Sequence, residues 1–350
     1  GLTKLTGTIL GGTLVSNDGT VFNNQFGTLD GVTIGSNLTF VNGAFTLVKN
    51  NLLLSPGVSL NLGTHDLRFN TTGAQQLATS SGTATINMAG GTLYAGYGVT
   101  GQTLTLGSGL TVQGYGDIRQ SSTATVINNG AVIGNTSGQT FAINPDTLTN
   151  NGTLRVVSGA TLSVATPTLF TSAGTGMDVQ SGGTLTLGNA NYNFTSPLPI
   201  VTGATVNLES GVSKAHIENL LFQGGVAVLN STLANTGQTL TLAGTGGALQ
   251  LTSNGKIVGG TVATSGAVGL ATFSSNATLD AVTLATNMTV RNGHILYIAN
   301  GLTLSGGAKV ILDSSGSNTY VYIKGTGQQT IGGTGSIEFS GSGVGQFRTV

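Results

Sequence analysis

Residues 28–62 read TLDGVTIGSNLTFVNGAFTLVKNNLLLSPGVSLNL, and residues 278–312 read TLDAVTLATNMTVRNGHILYIANGLTLSGGAKVIL; aligned without a gap, fifteen of the 35 positions are identical. The match extends upstream, where Gly11-Gly12-Thr13 corresponds to Gly259-Gly260-Thr261. Downstream, Thr72-Gly73-Ala74-Gln75-Gln76 is echoed loosely by Thr326-Gly327-Gln328-Gln329, each extension needing a small gap. A unit of about 250 residues therefore restarts near residue 250, as in a tandem array.

Inside that unit a shorter period decides the fold. Apolar pairs with period-2 spacing, Val32/Ile34, Leu38/Phe40, Leu52/Leu54 and Val58/Leu60, arrive every six or seven residues. Strands so short, separated by Gly, Asn or Ser, do not make an ordinary meander, but three of them close one coil of about 20 residues. That coil places Val32 under Leu52 and Leu38 under Val58. It leaves open whether Phe45 and Leu47 or Thr46 and Val48 face inward, because a one-residue slip reverses every side chain of a strand.

A second stretch gives a similar spacing. Asn128-Asn129-Gly130 recurs as Asn150-Asn151-Gly152, and Ser158-Gly159-Ala160-Thr161-Leu162 reappears as Ser181-Gly182-Gly183-Thr184-Leu185. The reading is an all-β parallel β-helix, or β-solenoid, of about 20–23 residues per coil, continuous over residues 1–350. Leu, Ile, Val and Phe form inward columns, and Thr and Ser suit the outer pleat. Gly and Asn take the corners. Asn128 and Asn150, with Asn129 and Asn151 beside them, are candidates for a hydrogen-bonded ladder between left-handed corner residues.

Composition excludes several classes. Glycine contributes 58 residues and charged residues only 6%, with no Cys and no Trp. Disorder would combine low hydrophobicity with high charge, yet 38% of this chain is hydrophobic. Collagen fails, since glycine does not recur every third residue and there are 5 prolines. Eleven basic residues balance eleven acidic ones, so no net field attracts nucleic acid or an anionic membrane. No apolar run reaches the length of a membrane-spanning helix, so no membrane insertion is expected in this segment. A first residue other than Met and the absence of cap helices are expected of a piece of something longer.

Candidate chemistry is sparse. The carboxylates form no local Asp-x-Asp or Glu-x-x-His pattern of the kind that glycoside cleavage or metal binding uses. His65, His216 and His294 stand far apart and read as solvated turn or rim residues, His65 beside Asp66 and Arg68 being the most polar spot of the first copy. Asp30 and Asp280 are equivalent in the two copies. One carboxylate per copy is too little for calcium, which takes six to eight oxygens, so a turn or strand-end role is expected. The least repetitive segment, residues 207–223 (NLESGVSKAHIENLLFQ), gathers Glu209, Lys214, His216 and Glu218 in a helix-compatible pattern and reads as a loop insertion that could serve interaction. No cofactor and no metal are assigned.

Runs such as Asn151-Gly152-Thr153-Leu154, Gly182-Gly183-Thr184-Leu185-Thr186-Leu187 and Thr278-Leu279-Asp280-Ala281-Val282-Thr283-Leu284 resemble bacterial surface β-strand-repeat proteins of the autotransporter-passenger and filamentous-haemagglutinin type. The resemblance covers nearly the whole chain. It implies secretion to the cell surface, a right-handed coil, and roles in adhesion, biofilm or surface-layer construction, with no catalytic residues to carry over. The expected function is a non-catalytic, extracellular structural or adhesive rod, part of a larger repetitive protein or fibre. Its expected partners are other copies of itself in fibres or sheets, or a surface glycan or cell-surface receptor. Polysaccharide binding or cleavage is an alternative on the same fold. Ice binding is another; the Thr-x-Thr units at Thr103, Thr184 and Thr239 lie about 81 and 55 residues apart, so no continuous threonine rank is expected from their spacing.

Overall fold

The computed structural model describes residues 4–19, 21–188 and 191–349. It divides into two compact units, Gly1–Ser196 and Pro197–Val350, where the sequence reading has one continuous segment. Each unit is a parallel β-solenoid.

In the first unit, one coil consists of strands Ala124–Asn128, Ala131–Gly134 and Thr140–Asn144. The next consists of Thr147–Asn150, Thr153–Val156 and Thr161–Val164. Each strand pairs in parallel with its counterpart one coil on, so Val126 meets Leu148, Val132 meets Leu154 and Phe141 meets Leu162. Phe170, Met177 and Leu185 extend the same three columns by a further coil. All nine side chains are buried. At about 1.5–3 kcal/mol for each large apolar side chain removed from water, these columns are the main favourable term of the fold. Alternation of buried and part-exposed residues along each strand is the direct consequence of the period-2 pattern.

The short sequence repeats become columns. Gly138, Gly159 and Gly182 have φ of +73°, +78° and +77°, and the first two each donate their N–H to the next glycine's carbonyl at 2.8 Å. A side chain would be strained in that conformation, which is why the Ser-Gly phrase recurs. Gly152 is fixed for a different reason: a Cβ there would lie 2.0 Å from the Gly130 carbonyl oxygen of the coil below.

The long repeat becomes a shared irregularity. Strand Thr28–Ile34 slips register between Asp30 and Val32, and strand Asn276–Ala285 does so between Asp280 and Val282. Val32 stacks on Leu52 as expected. Leu38 pairs with Leu60 and not with Val58, because the turn from Ser55 to Val58 lengthens the coil at that point. Thr46 and Val48 face inward, while Phe45 and Leu47 face out.

In the second unit, Leu240, Val262, Leu284 and Leu304 form one inward column and Ile257, Leu279, Ile298 and Ile323 another. Residues 207–223 are not an inserted loop. Helix Lys214–Glu218 occupies part of a coil that keeps its length, with Leu198 paired to Leu220. Ser213 caps the helix, and Val212 and Ile217 supply the apolar contacts a strand would otherwise make. Among the described residues no helix is long and apolar enough to cross a membrane.

Candidate functional site

The asparagine ladder lies inside the stack. Asn128 Nδ2 donates to Asn150 Oδ1 at 2.8 Å, and Asn150 Nδ2 donates to Ser172 Oγ at 2.9 Å and to the Gly176 carbonyl at 3.1 Å. Asn151 Nδ2 donates to Asn129 Oδ1 at 3.0 Å on the exposed side. The conformation differs from the expected one: Asn128 and Asn150 end extended strands, whereas among the described residues the left-handed asparagines are Asn50, Asn51 and Asn300. A strand end points its amide inward without any change of φ, so the ladder needs no left-handed residue.

Asp30 and Asp280 lie within strands Thr28–Ile34 and Asn276–Ala285, at the register slip and not at a strand end, and they hold the corner of the next coil. Asp30 Oδ1 accepts from Asn50 Nδ2 at 2.6 Å, and Asp280 Oδ1 accepts from Asn300 Nδ2 at 2.7 Å. Both asparagines have positive φ, and the carboxylate fixes each of them there. Lys256 lies 2.7 Å from Asp280, and its hydrogen bond holds that carboxyl below its ordinary pKa.

The segment expected to serve interaction spends its polar groups internally. Glu209 accepts from Asn230, Lys214 pairs with Glu218, and Glu218 also accepts from the Thr241 backbone at 2.9 Å. His216 closes the helix capping box. Lys214, His216 and Glu218 share one short helix, and Glu209 precedes it, bonded to Asn230. Helix Lys214–Glu218 is fastened to the next coil through Glu218.

His65, expected at a solvated turn or rim, is fully buried. Its Nδ1 lies 2.9 Å from the Val41 carbonyl, which can only accept, so Nδ1 carries the proton and Nε2 accepts from the Thr46 hydroxyl at 2.8 Å. Thr46 in turn accepts from Asn24 Nδ2 at 2.6 Å. Burial pushes the His65 pKa down and keeps the ring neutral. His294, part-exposed, bonds Thr272 at 2.8 Å, and its pKa is lowered by burial and by Arg291. Among the described residues, no three His, Asp or Glu side chains are grouped as metal ligands would be.

Register also builds threonine ranks that motif spacing did not foretell. Thr239, Thr261, Thr283 and Thr303 are successive Cα partners, as are Thr140, Thr161 and Thr184. Ranks depend on which residue meets which across coils, and not on recurrence of one motif. The row beside the first, Thr241, Ala263 and Ala285, is mixed.

An outward cluster of aromatic and charged groups in the first unit surrounds Arg68. Its guanidinium lies 3.8 Å from the Phe45 ring centre and 4.6 Å from that of Tyr97, donates to Asp66 at 2.8 Å, and donates to the Tyr97 hydroxyl at 3.0 Å. Arg119 donates to the Tyr94 hydroxyl at 2.6 Å, and the Tyr94 and Tyr97 rings meet edge to face at 5.4 Å. Register explains the gathering: Phe45 pairs with Asp66, Arg68 with Tyr94, and Tyr94 with Arg119. The sequence marked Asp66 and Arg68 but missed the tyrosines and Arg119. The steps along the chain from Arg68 to Tyr94 and from Tyr94 to Arg119 are longer than the coil period that the short repeats display. No protein-family model, curated protein or solved structure matches the chain.

Proposed function

We propose that this chain is a non-catalytic structural and adhesive β-solenoid of the bacterial cell surface, part of a repetitive extracellular protein. The observation that carries the reading is the use to which its few charges are put. Arg155 pairs with Asp178 one coil on, Lys256 with Asp280, and Lys309 with Glu338, each at 2.7 Å. Carboxylates so placed stitch neighbouring coils together, whereas hydrolytic chemistry sets two of them to face one scissile bond. Exposed pairs contribute about 0–1 kcal/mol each, so their main effect is to fix register.

Two measurements on the purified chain and its source test this. Incubation with soluble neutral and acidic polysaccharides is expected to release neither new reducing ends nor unsaturated uronates. Immunogold microscopy of the producing cells is expected to place the protein outside the envelope. Release of sugar fragments would make it an enzyme, and label confined to the cytoplasm would end the surface reading.

A further inference from the structure

We propose that the outward face running from Phe26 through Phe45, Arg68 and Tyr94 to Arg119 binds a neutral glycan. The proposal rests on the adhesive reading above and names the class of ligand. Four features of the first unit point to it.

The face is aromatic and continuous. Phe26 packs on Phe45 at 4.8 Å between ring centres, and Phe45, Tyr97 and Tyr94 follow around Arg68. Five successive coils contribute, which at about 4.8 Å per step spans roughly 19 Å, room for several sugar rings in a row. The CH face of a pyranose packs on such rings while its hydroxyls reach the polar groups between them.

Hydrogen-bonding capacity remains at the rim. The Tyr97 and Tyr94 hydroxyl oxygens each accept from an arginine, which leaves each phenol hydrogen to donate outward. Both tyrosines are part-exposed, and Arg119 is exposed.

Charge is balanced. Arg68 and Arg119 share the face with Asp66 and Asp117, so no net charge selects an acidic ligand. A neutral glycan fits this balance better than a polyuronate.

One member of the face has a strained backbone. Phe26 has a φ of +68°, an unusual conformation for a bulky residue, and is 59% exposed. Such strain persists where the surroundings demand it, and here it lays an apolar ring beside Phe45 in full view of solvent.

The equivalent face of the second copy is aromatic as well, with different residues. Ile295 and Tyr297, the counterparts of Phe45 and Leu47, pair with Tyr320 and Tyr322, so five of the chain's seven tyrosines lie on these two faces. Duplication would have copied identities. What recurs is ring chemistry at one address. Lys324 and Arg348 cover Tyr297 and Tyr320 there, and the proposal concerns the first unit.

The test is affinity electrophoresis of the full chain in gels carrying a soluble neutral β-glucan, a neutral galactomannan or polygalacturonate. The expected result is retardation by at least one neutral polymer, insensitive to salt. Tyr94→Ala and Tyr97→Ala should each weaken it about tenfold, and Tyr97→Phe less, while Thr171→Ala, on another face, should not change it. Unaltered thermal melting shows that each variant folds. No retardation by either neutral polymer, retardation by polygalacturonate alone, or retardation unchanged in both tyrosine variants would overturn the proposal. So would loss, in Tyr97→Ala, of self-association seen by sedimentation without glycan, since the face would then bind a second copy. Any of these would leave the microscopy and the cleavage assay of the structural reading unaffected.

Discussion

Replacing Phe222 by alanine is expected to lower the unfolding free energy by about 3–5 kcal/mol, measured by urea denaturation with hydrogen exchange reporting on strand Leu220–Leu229. The ring is fully buried, between Ile200 on one side and Gly244 on the other. Gly244 is the reason the loss should be near the upper end. It has no side chain to fall into the space, and a Cβ at that position would lie 2.0 Å from the Phe222 carbonyl oxygen, so the backbones already touch and close no further. The cavity stays open, and an unrelaxed cavity is the costly kind. A loss below about 1.5 kcal/mol, the range of a volume-conserving swap, would mean that Phe222 does not fill the core as described.

Asn150→Ala is expected to cost about 2–4 kcal/mol in the first unit, from the loss of more than one buried hydrogen bond. Truncation deprives Asn128 of its 2.8 Å acceptor and the Gly176 carbonyl of its donor, and buried groups left unsatisfied cost about 1–3 kcal/mol each. Asn128 keeps a 3.2 Å bond to the Thr153 carbonyl, which tempers the effect. Replacing both partners, Asn128→Leu with Asn150→Leu, should recover part of the loss, because Leu106 already stands in the same column and neither side chain then leaves the other's amide unpaired, while the Gly176 carbonyl and the Gly130 N–H still lose their side-chain partners. A double-mutant cycle by urea unfolding reads the coupling directly. Additive losses would show that the two amides do not act as a ladder.

The sequence made the coil legible because inward positions are apolar at period 2 and corners are glycine or asparagine, which no other fold at this composition requires together. Val32 on Leu52 and the Asn128–Asn150 pair could be read from spacing alone. Leu38 on Leu60 could not, since a turn of variable length shifts register without altering the apolar pattern. The choice between Phe45/Leu47 and Thr46/Val48 was hidden because the core accepts a threonine there: Thr46 is satisfied by Asn24 and His65, two residues that a local pattern does not connect. The same blindness made His65 look solvated. Polarity in the sequence marks a surface residue only where no buried partner exists, and here the partners lie a whole coil away along the chain. The aromatic face is the extreme case, assembled from coils whose length departs from the period.

Strands lie in parallel register on those of the coil below, and the absence of cysteine makes that register directly testable. Thr103 and Thr125 face outward as Cα partners in adjacent coils, about 4.8 Å apart by strand spacing, within the reach of a disulfide. Under mild oxidation, the variant carrying Thr103→Cys with Thr125→Cys should cross-link intramolecularly, and the variant carrying Thr103→Cys with Ile127→Cys, two residues out of register, should not. Cross-linking of the second pair in preference to the first would contradict the register, and with it the columns, ladders and faces built upon it.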